Sequence, residues 1–208
     1  MKMKIVIIGA GTTAIAVADI LVHDRNFKIV GFIGTTKENE KLGGQKIYGE
    51  IPFLGDRSLL KKLKDDAAIV GFVAAIGDNY IREEAFYEGI GIGIIPINAI
   101  SPHAVIEPSA QIEKGIIVSA GCIVSHGVTI GNNTYLDSGV IVDIYTEIGE
   151  NCHLNPGCII GGMSEIGRNV TIGSRSTIAH NVKIGKNQKI MAGEVVNKDI
   201  EDLIRNQE

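Results

Sequence analysis

The groups in this chain that could hold a ligand or move a proton fall into two regions. Near the N-terminus, Gly9-Ala10-Gly11 follows a short apolar run and opens a helical stretch. A glycine-rich turn at that point aims backbone N–H groups out of a helix N-terminus, which suits a phosphate. It is equally compatible with a βα turn needed only for packing, because the third position of the dinucleotide fingerprint is Ala14 and Gly34, not an acid, follows the second strand. The second region holds His126, His153 and His180 together with Asp137 and Asp143. His126 and His180 fall on one corner of the repeat described next, three coils or about 14 Å apart. They cannot share an ion whose ligands must approach to about 2.1 Å, so no metal is expected. Cys122, Cys152 and Cys158 read as packing residues in a reducing cytoplasm rather than as a disulfide framework.

The element that must carry these groups announces itself by its period. From Ile106 through Ile112, Val118, Val124 and onward to Val196, a branched aliphatic residue stands at every sixth position without a slip. Helices want apolar residues every three to four positions and ordinary strands every two. Period six fits a chain that turns a corner after each short strand, three faces closing a coil of eighteen residues, with one aliphatic residue per face pointing inward. Two positions before it sits a small or β-branched residue (Ala110, Cys122, Val128, Thr134, Val140). One position after it comes Gly, Asp, Ser or Asn, often Gly, as at Gly131, Gly149, Gly161, Gly167, Gly173 and Gly185. Glycine is expected there to relieve the backbone at the bend. The pattern is that of a parallel β-helix.

Residues 4–97 follow a different grammar. Strands are expected at Ile5–Ile8, Lys28–Ile33, Ile69–Ala75 and Ile92–Ile95, alternating with helices that run to Leu21, over 57–64 and over 79–88. This is the signature of a small parallel α/β sheet. The domain organisation is therefore a Rossmann-like α/β unit over 1–98, a β-helix over 99–198, and a tail over 199–208, read as a short acidic helix capping the open end of the coil. With 208 residues, 45% of them hydrophobic, and a net charge of −4, the chain can bury a real core. No basic face argues for nucleic acid and no run of 18 apolar residues for a membrane span. Met1-Lys2-Met3-Lys4-Ile5 leads into a strand rather than a signal peptide, so a cytoplasmic location is expected.

The order of parts carries a resemblance. The opening Ile7-Ile8-Gly9-Ala10-Gly11, the strand end Gly31–Ile33, the segment Ala75-Ile76-Gly77-Asp78-Asn79-x-x-Arg82, Ile97-Asn98, and Pro102-x-Ala104-Val105-Ile106-x-Pro108-Ser109-Ala110 precede the hexapeptides in turn. In this the chain resembles the bacterial sugar acetyltransferases of the sialic acid O-acetyltransferase and nucleotide-aminosugar N-acetyltransferase type. The resemblance implies a left-handed β-helix, an exception to the usual right-handed crossover. It also implies a homotrimer with acetyl-CoA in grooves along the coils and a nucleotide-linked sugar held by the N-terminal domain. The catalytic segment of such proteins reads roughly Asn-x5-Glu/Asp-His-Glu/Asp, with a second histidine nine residues after the first. Here His153 matches the second histidine. Ile144 stands where the presumed general base is expected, Tyr145 where its acidic orienter is, and Asp137 in place of the leading Asn. Thr12-Thr13 and Gly34-Thr35 replace a Gly-His and an acidic pair, and a C-terminal Gly-x-Pro-Ala segment is missing.

Without the base, the chemistry shifts. General-base help is worth about 10²–10⁴ in rate, and a hydroxyl acceptor depends on it. A sugar amine offers a useful neutral fraction and can attack a thioester directly, helped by proximity and orientation. The function expected is therefore an acetyl-CoA-dependent N-acetyltransferase acting on a nucleotide-linked amino-dideoxy sugar. The alternatives are an O-acetyltransferase using His126 or His153, or an inactive trimeric scaffold. On the family register, His153 would donate to the thioester carbonyl or its oxyanion. Asp137 and Asp143 would hold the incoming ammonium and accept its proton, unless they are simply corner residues. Gly162, Ala192 and Asn155 would line the acetyl-CoA arm. Gly9, Gly11, Thr12 and Thr13 would approach the phosphates or sugar, Gly34, Thr35 and Lys37 the base, and Tyr145 the sugar.

Overall fold

The computed structural model describes residues 2–35, 37 and 46–203, with side chains throughout except at 46–48. The chain divides into two compact units, residues 1–99 and 100–208. In the first, β1 (Met3–Ile8), α1 (Thr12–Val22), β2 (Phe27–Ile33), β3 (Lys46–Tyr48), β4 (Ile51–Gly55), α2 (Leu59–Asp65), β5 (Gly71–Ala74), α3 (Asn79–Ile92) and β6 (Ile95–Pro96) follow one another. They build one sheet in the order β3-β4-β2-β1-β5-β6, parallel except for the β3–β4 hairpin. Ile5, Val6 and Ile7 of β1 are fully buried, as a central parallel strand with both faces covered requires. The β3–β4 hairpin has no counterpart among the sequence expectations. The expected last strand at Ile92–Ile95 is also displaced. Helix α3 runs on through Ile92 and stops at Gly93, whose φ of 86° supplies the left-handed cap that ends it. The strand then begins only at Ile95.

The second unit is a left-handed parallel β-helix of hexapeptide repeats. Its strands are two residues long: the first side chain points out, the second in. One face runs from Ile117–Val118 through Tyr135–Leu136, His153–Leu154 and Thr171–Ile172 to Lys189–Ile190. The second runs from Val105–Ile106 to Val195–Val196, and the third from Gln111–Ile112 to Lys183–Ile184. The inward aliphatics from Val118 to Val196 are at most 6% exposed, while Ile106 and Ile112 pack partly buried at the open end. The small inward residues make a second column whose polar atoms are spent on backbone. Thr134, Thr146, Ser164 and Ser176 donate to the carbonyls of Gly149, Gly161, Ala179 and Met191 at 2.8–3.2 Å. Cys122 and Cys152 use their thiols in the same way, on Asp137 and Gly167. The three cysteines are buried and free. Burial pushes the Cys122 thiol up to about 11 and Cys158 up to about 12, so they are inert packing groups.

The corners work differently from expectation. The left-handed residue of each turn lies three positions before the inward aliphatic, as at Asn133, Gly139, Tyr145 and Asn151. Gly131, Gly149 and Gly161 have no positive φ. A Cβ there would sit 2.6–2.8 Å from backbone nitrogens of the next coil, at Glu150, Arg168 and His180. Glycine is required by close stacking of successive coils, not by the bend. At one corner, Asn133, Asn151 and Asn169 each donate a side-chain amide hydrogen to the next asparagine at 2.8–3.1 Å, and Asn187 donates to the Leu203 carbonyl at 3.3 Å. The tail is not helical over 199–203. Ile200 bridges to Ile184 in parallel, and Leu203 N–H bonds Lys186 O. The tail adds a further stretch of coil because open strand ends below it offer unpaired backbone groups; residues 204–208 lie outside the described residues.

Candidate active site

The first face of the coil brings together three side chains of chemical interest. Tyr135 and His153 are Cα partners in neighbouring coils, so both project outward one above the other. Their rings stack with centroids 4.6 Å apart and planes 17° apart. Asp137 follows the same strand as Tyr135, at the corner, and its Oδ2 lies 3.9 Å from His153 Nε2, an ion-pair distance longer than a hydrogen bond. Ser138 N–H donates to the other carboxylate oxygen at 2.7 Å. Burial pushes the Asp137 carboxyl up, but His153 and the Ser138 N–H outweigh it, so it is held below the usual carboxylate value and remains ionised at neutral pH. Tyr135 is 3% exposed. Burial first, then the neighbouring Asp137 charge, push its phenol up to about 12. Sequence reasoning missed Tyr135, although its position eighteen residues before His153 fixed the two in register.

The other expected catalytic carboxylate stands elsewhere. Asp143 closes the strand of the second face and so occupies the next corner, exposed, with one oxygen accepting Ile144 N–H at 2.8 Å. Within one chain the expected catalytic set is thus divided: His153 and Asp137 at one corner, Asp143 at another. Tyr145 shares the second corner. It is 53% exposed and held at φ 53°, unusual for a bulky residue. Its ring meets His126 edge-on at 5.4 Å and covers Gly127, where a Cβ would strike it. His126 Nδ1 is 2.8 Å from Ser109 Oγ, and His180 is exposed. Gly162 is buried here, and a Cβ on it would meet Ile144 O at 3.0 Å and Asp143 Oδ2 at 3.3 Å. Asn155 has its amide N–H on Ile172 O, and Ala192 is exposed.

In the N-terminal unit, β1 lies between β2 and β5, with α1 leading from β1 to β2 and β5 on its other side, so the order in which strands are added to the parallel sheet reverses between β1 and β5. Ligands in such sheets sit off the strand C-termini at this point. Gly9 has a φ of 131° and would press a Cβ into the Ala75 carbonyl, so close backbone approach explains it. Gly11 has open space around its Cβ position and caps α1 with no side-chain bond, leaving the N–H groups of Thr12 and Thr13 at the helix start. Thr13 Oγ1 lies 3.5 Å from where a Cβ of Gly77 would be. The loop carrying Gly77 is fixed from beneath by Arg82, fully buried, whose guanidinium bonds the Ile76 carbonyl at 3.0 Å and Asn79 Oδ1 at 2.8 Å. Gly34 N–H bonds Gly55 O, while Thr35 and Lys37 are exposed.

Among the described residues no group of three or more His, Cys, Asp or Glu could hold a metal ion, and no helix is long and apolar enough to cross a membrane. Residues 4–88 match the PglD N-terminal domain, and residues 145–180 match the bacterial transferase hexapeptide, six repeats. No curated protein matches the chain by sequence. Among solved structures, the acetyltransferase domain of PglB from Neisseria gonorrhoeae, in complex with acetyl coenzyme A, superposes with a TM-score of 0.86 at 24% identity, over 97% of this chain and 94% of that one. PerB from Caulobacter crescentus, in complex with CoA and GDP-perosamine, gives 0.72 at 25% identity over 97% and 92%. WeeI from Acinetobacter baumannii gives 0.62 at 18% identity over 97% and 94%, a likeness of fold. Domain order, repeat and fold together make the chain similar to hexapeptide-repeat acetyltransferases, of the sugar acetyltransferase type that the sequence resembles.

Proposed function

We propose that this protein transfers the acetyl group of acetyl-CoA to the amine of a nucleotide-linked amino-dideoxy sugar, and that it does so without a histidine at position 144. The observation that carries the reading is His153 Nε2 set 3.9 Å from the Asp137 carboxylate, while Ile144, at the Asp143 corner, offers no base. The ammonium sheds a proton to water, and the neutral amine then attacks the thioester carbonyl. A C–N bond forms as the C–S bond breaks. The proton the nitrogen loses passes, through Asp137 or water, to the departing sulfur, so CoA leaves as the thiol. His153 donates to the carbonyl oxygen as negative charge builds there. Asp137 keeps the imidazole oriented and draws in the ammonium form of the acceptor. PerB, bound to CoA and GDP-perosamine, supports an amino-sugar acceptor. The uncapped start of α1 at Gly11–Thr13 fits the diphosphate of such a substrate. The exposed Tyr145 ring suits the apolar face of a sugar.

The active unit in this reading is a cytoplasmic homotrimer. The outward ladder of the second face is Val105, Ile123, Ile141, Ile159, Thr177 and Val195, and four of its members are 41–68% exposed. The third face by contrast presents Glu147, Glu165 and Lys183. An apolar sheet face of this extent favours burial against other copies. It lies between the Asp137 corner and the Asp143 corner, so association through it lets Asp143 and Tyr145 of one copy complete the His153 site of another. The test is thiol release from acetyl-CoA against nucleotide-linked 3-amino and 4-amino dideoxysugars, with sialic acid and serine as hydroxyl acceptors. Turnover with one amino sugar is expected. Turnover only with a hydroxyl acceptor would overturn the amine reading, and silence throughout would leave a scaffold.

A further inference from the structure

On the first face of the coil, the outward column reads Ile117, Tyr135, His153, Thr171 and Lys189. The only aromatic residue in it lies directly beneath the only histidine. Three observations mark Tyr135 as more than filler. Its ring is nearly parallel to the imidazole at 4.6 Å, a stacking distance set by the coil pitch itself. It is buried at 3% although it points outward from the coil, as is Ile117 next to it in the column at 1%, whereas outward residues of the second face such as Ile123 and Ile159 are 41% exposed. Its phenol, pushed up by burial and then by the Asp137 charge, also lies near that carboxylate, which stands two residues on in the same coil. Tyr135 therefore meets the imidazole by its face and neighbours the carboxylate that lies 3.9 Å from His153 Nε2.

We infer that Tyr135 is a positioning residue for acetyl transfer, holding the plane of the His153 ring beside Asp137. The inference rests on the acetyltransferase reading of this site. An imidazole at the end of a short side chain can swing about χ1 and χ2; a flat, buried ring beneath it confines that motion to sliding. A misplacement of about 1 Å can cost on the order of 10²-fold in rate.

The experiment compares Tyr135→Phe, which keeps the stack and loses the hydroxyl, with Tyr135→Leu, which loses the stack. The imidazole proton resonances of His153, assigned by their loss in His153→Gln, report the stack independently of activity. They should lie upfield in the unsubstituted protein and in Tyr135→Phe, and return to ordinary positions in Tyr135→Leu. With a working acceptor, kcat should fall about 10- to 100-fold in Tyr135→Leu, with KM for acetyl-CoA within about twofold of the parent. Tyr135→Phe should recover most of the rate. Full kcat in a Tyr135→Leu protein of unchanged melting temperature would overturn the inference. So would His153 resonances with no upfield displacement in the unsubstituted protein, a result that holds even if the leucine variant does not fold. If no acceptor turns over, the acetyl-transfer reading fails by itself, and the resonances alone still decide whether Tyr135 holds His153.

Discussion

At the residue scale, the site depends on two groups whose roles separate by substitution. Removing the donor with His153→Gln should lower kcat about 10²–10³-fold in the thiol-release assay, the usual cost of one oxyanion donor. His126→Ala should change it less than about twofold, because His126 is engaged with Ser109 and Tyr145 at another corner. A collapse of activity there would instead identify a relocated base. Asp137 adds a pH signature. Its folded carboxyl is held below the value of the unfolded chain, near 3.8, so its stabilising effect is complete at neutral pH. That contribution is lost as pH falls through the lowered value. Asp137→Asn should therefore melt lower than the parent at pH 7, and the gap should narrow toward pH 3 in acid-unfolding curves.

At the element scale, the coil is held by repeated contacts between successive turns, and two kinds of substitution separate their causes. Gly149→Ala would press a Cβ to 2.8 Å from the Arg168 nitrogen and the Gly167 carbonyl carbon, backbone that cannot step aside. A loss of about 1–3 kcal/mol is expected in thermal or denaturant melting. Gly139→Ala meets no atom within 4 Å and is penalised only for its φ of 71°, about 1–2 kcal/mol. Asn151→Ala breaks the asparagine ladder at both ends, leaving the buried Asn133 amide and the Asn169 oxygen short of a partner. It should cost about 1–3 kcal/mol in the same assay.

At the scale of the whole molecule, the three outward ladders divide the work of the coil: one bears the candidate site, one is apolar, one is charged. Ile159→Glu sits in the middle of the apolar ladder, and its side chain points away from the core. If the proposed trimer forms through this face, the variant should sediment as a monomer while far-UV circular dichroism stays the same. Activity should fall with assembly if Asp143 and Tyr145 of one copy serve the site of another. A variant that stays trimeric would show that the second face is not the interface.

The sequence determined the coil by itself. A branched aliphatic residue at every sixth position, with a small residue two before it, can be buried only by a three-faced turn, and each repeat states the rule again locally. The corner that Ile144 occupies was legible for the same reason, since the repeat fixes every residue's corner; only the family resemblance implied a base there. What required the tertiary structure was anything decided by contacts between coils. Gly131 and Gly149 look like bend residues in one dimension and prove to be spacing residues against the next turn. Ile92 looks like the start of a strand until Gly93 supplies the left-handed cap. Residues 199–203 look helical until open strand ends offer them partners. Tyr135 and His153 are eighteen residues apart in sequence and one coil apart in space, and only stacking puts the ring of one against the ring of the other.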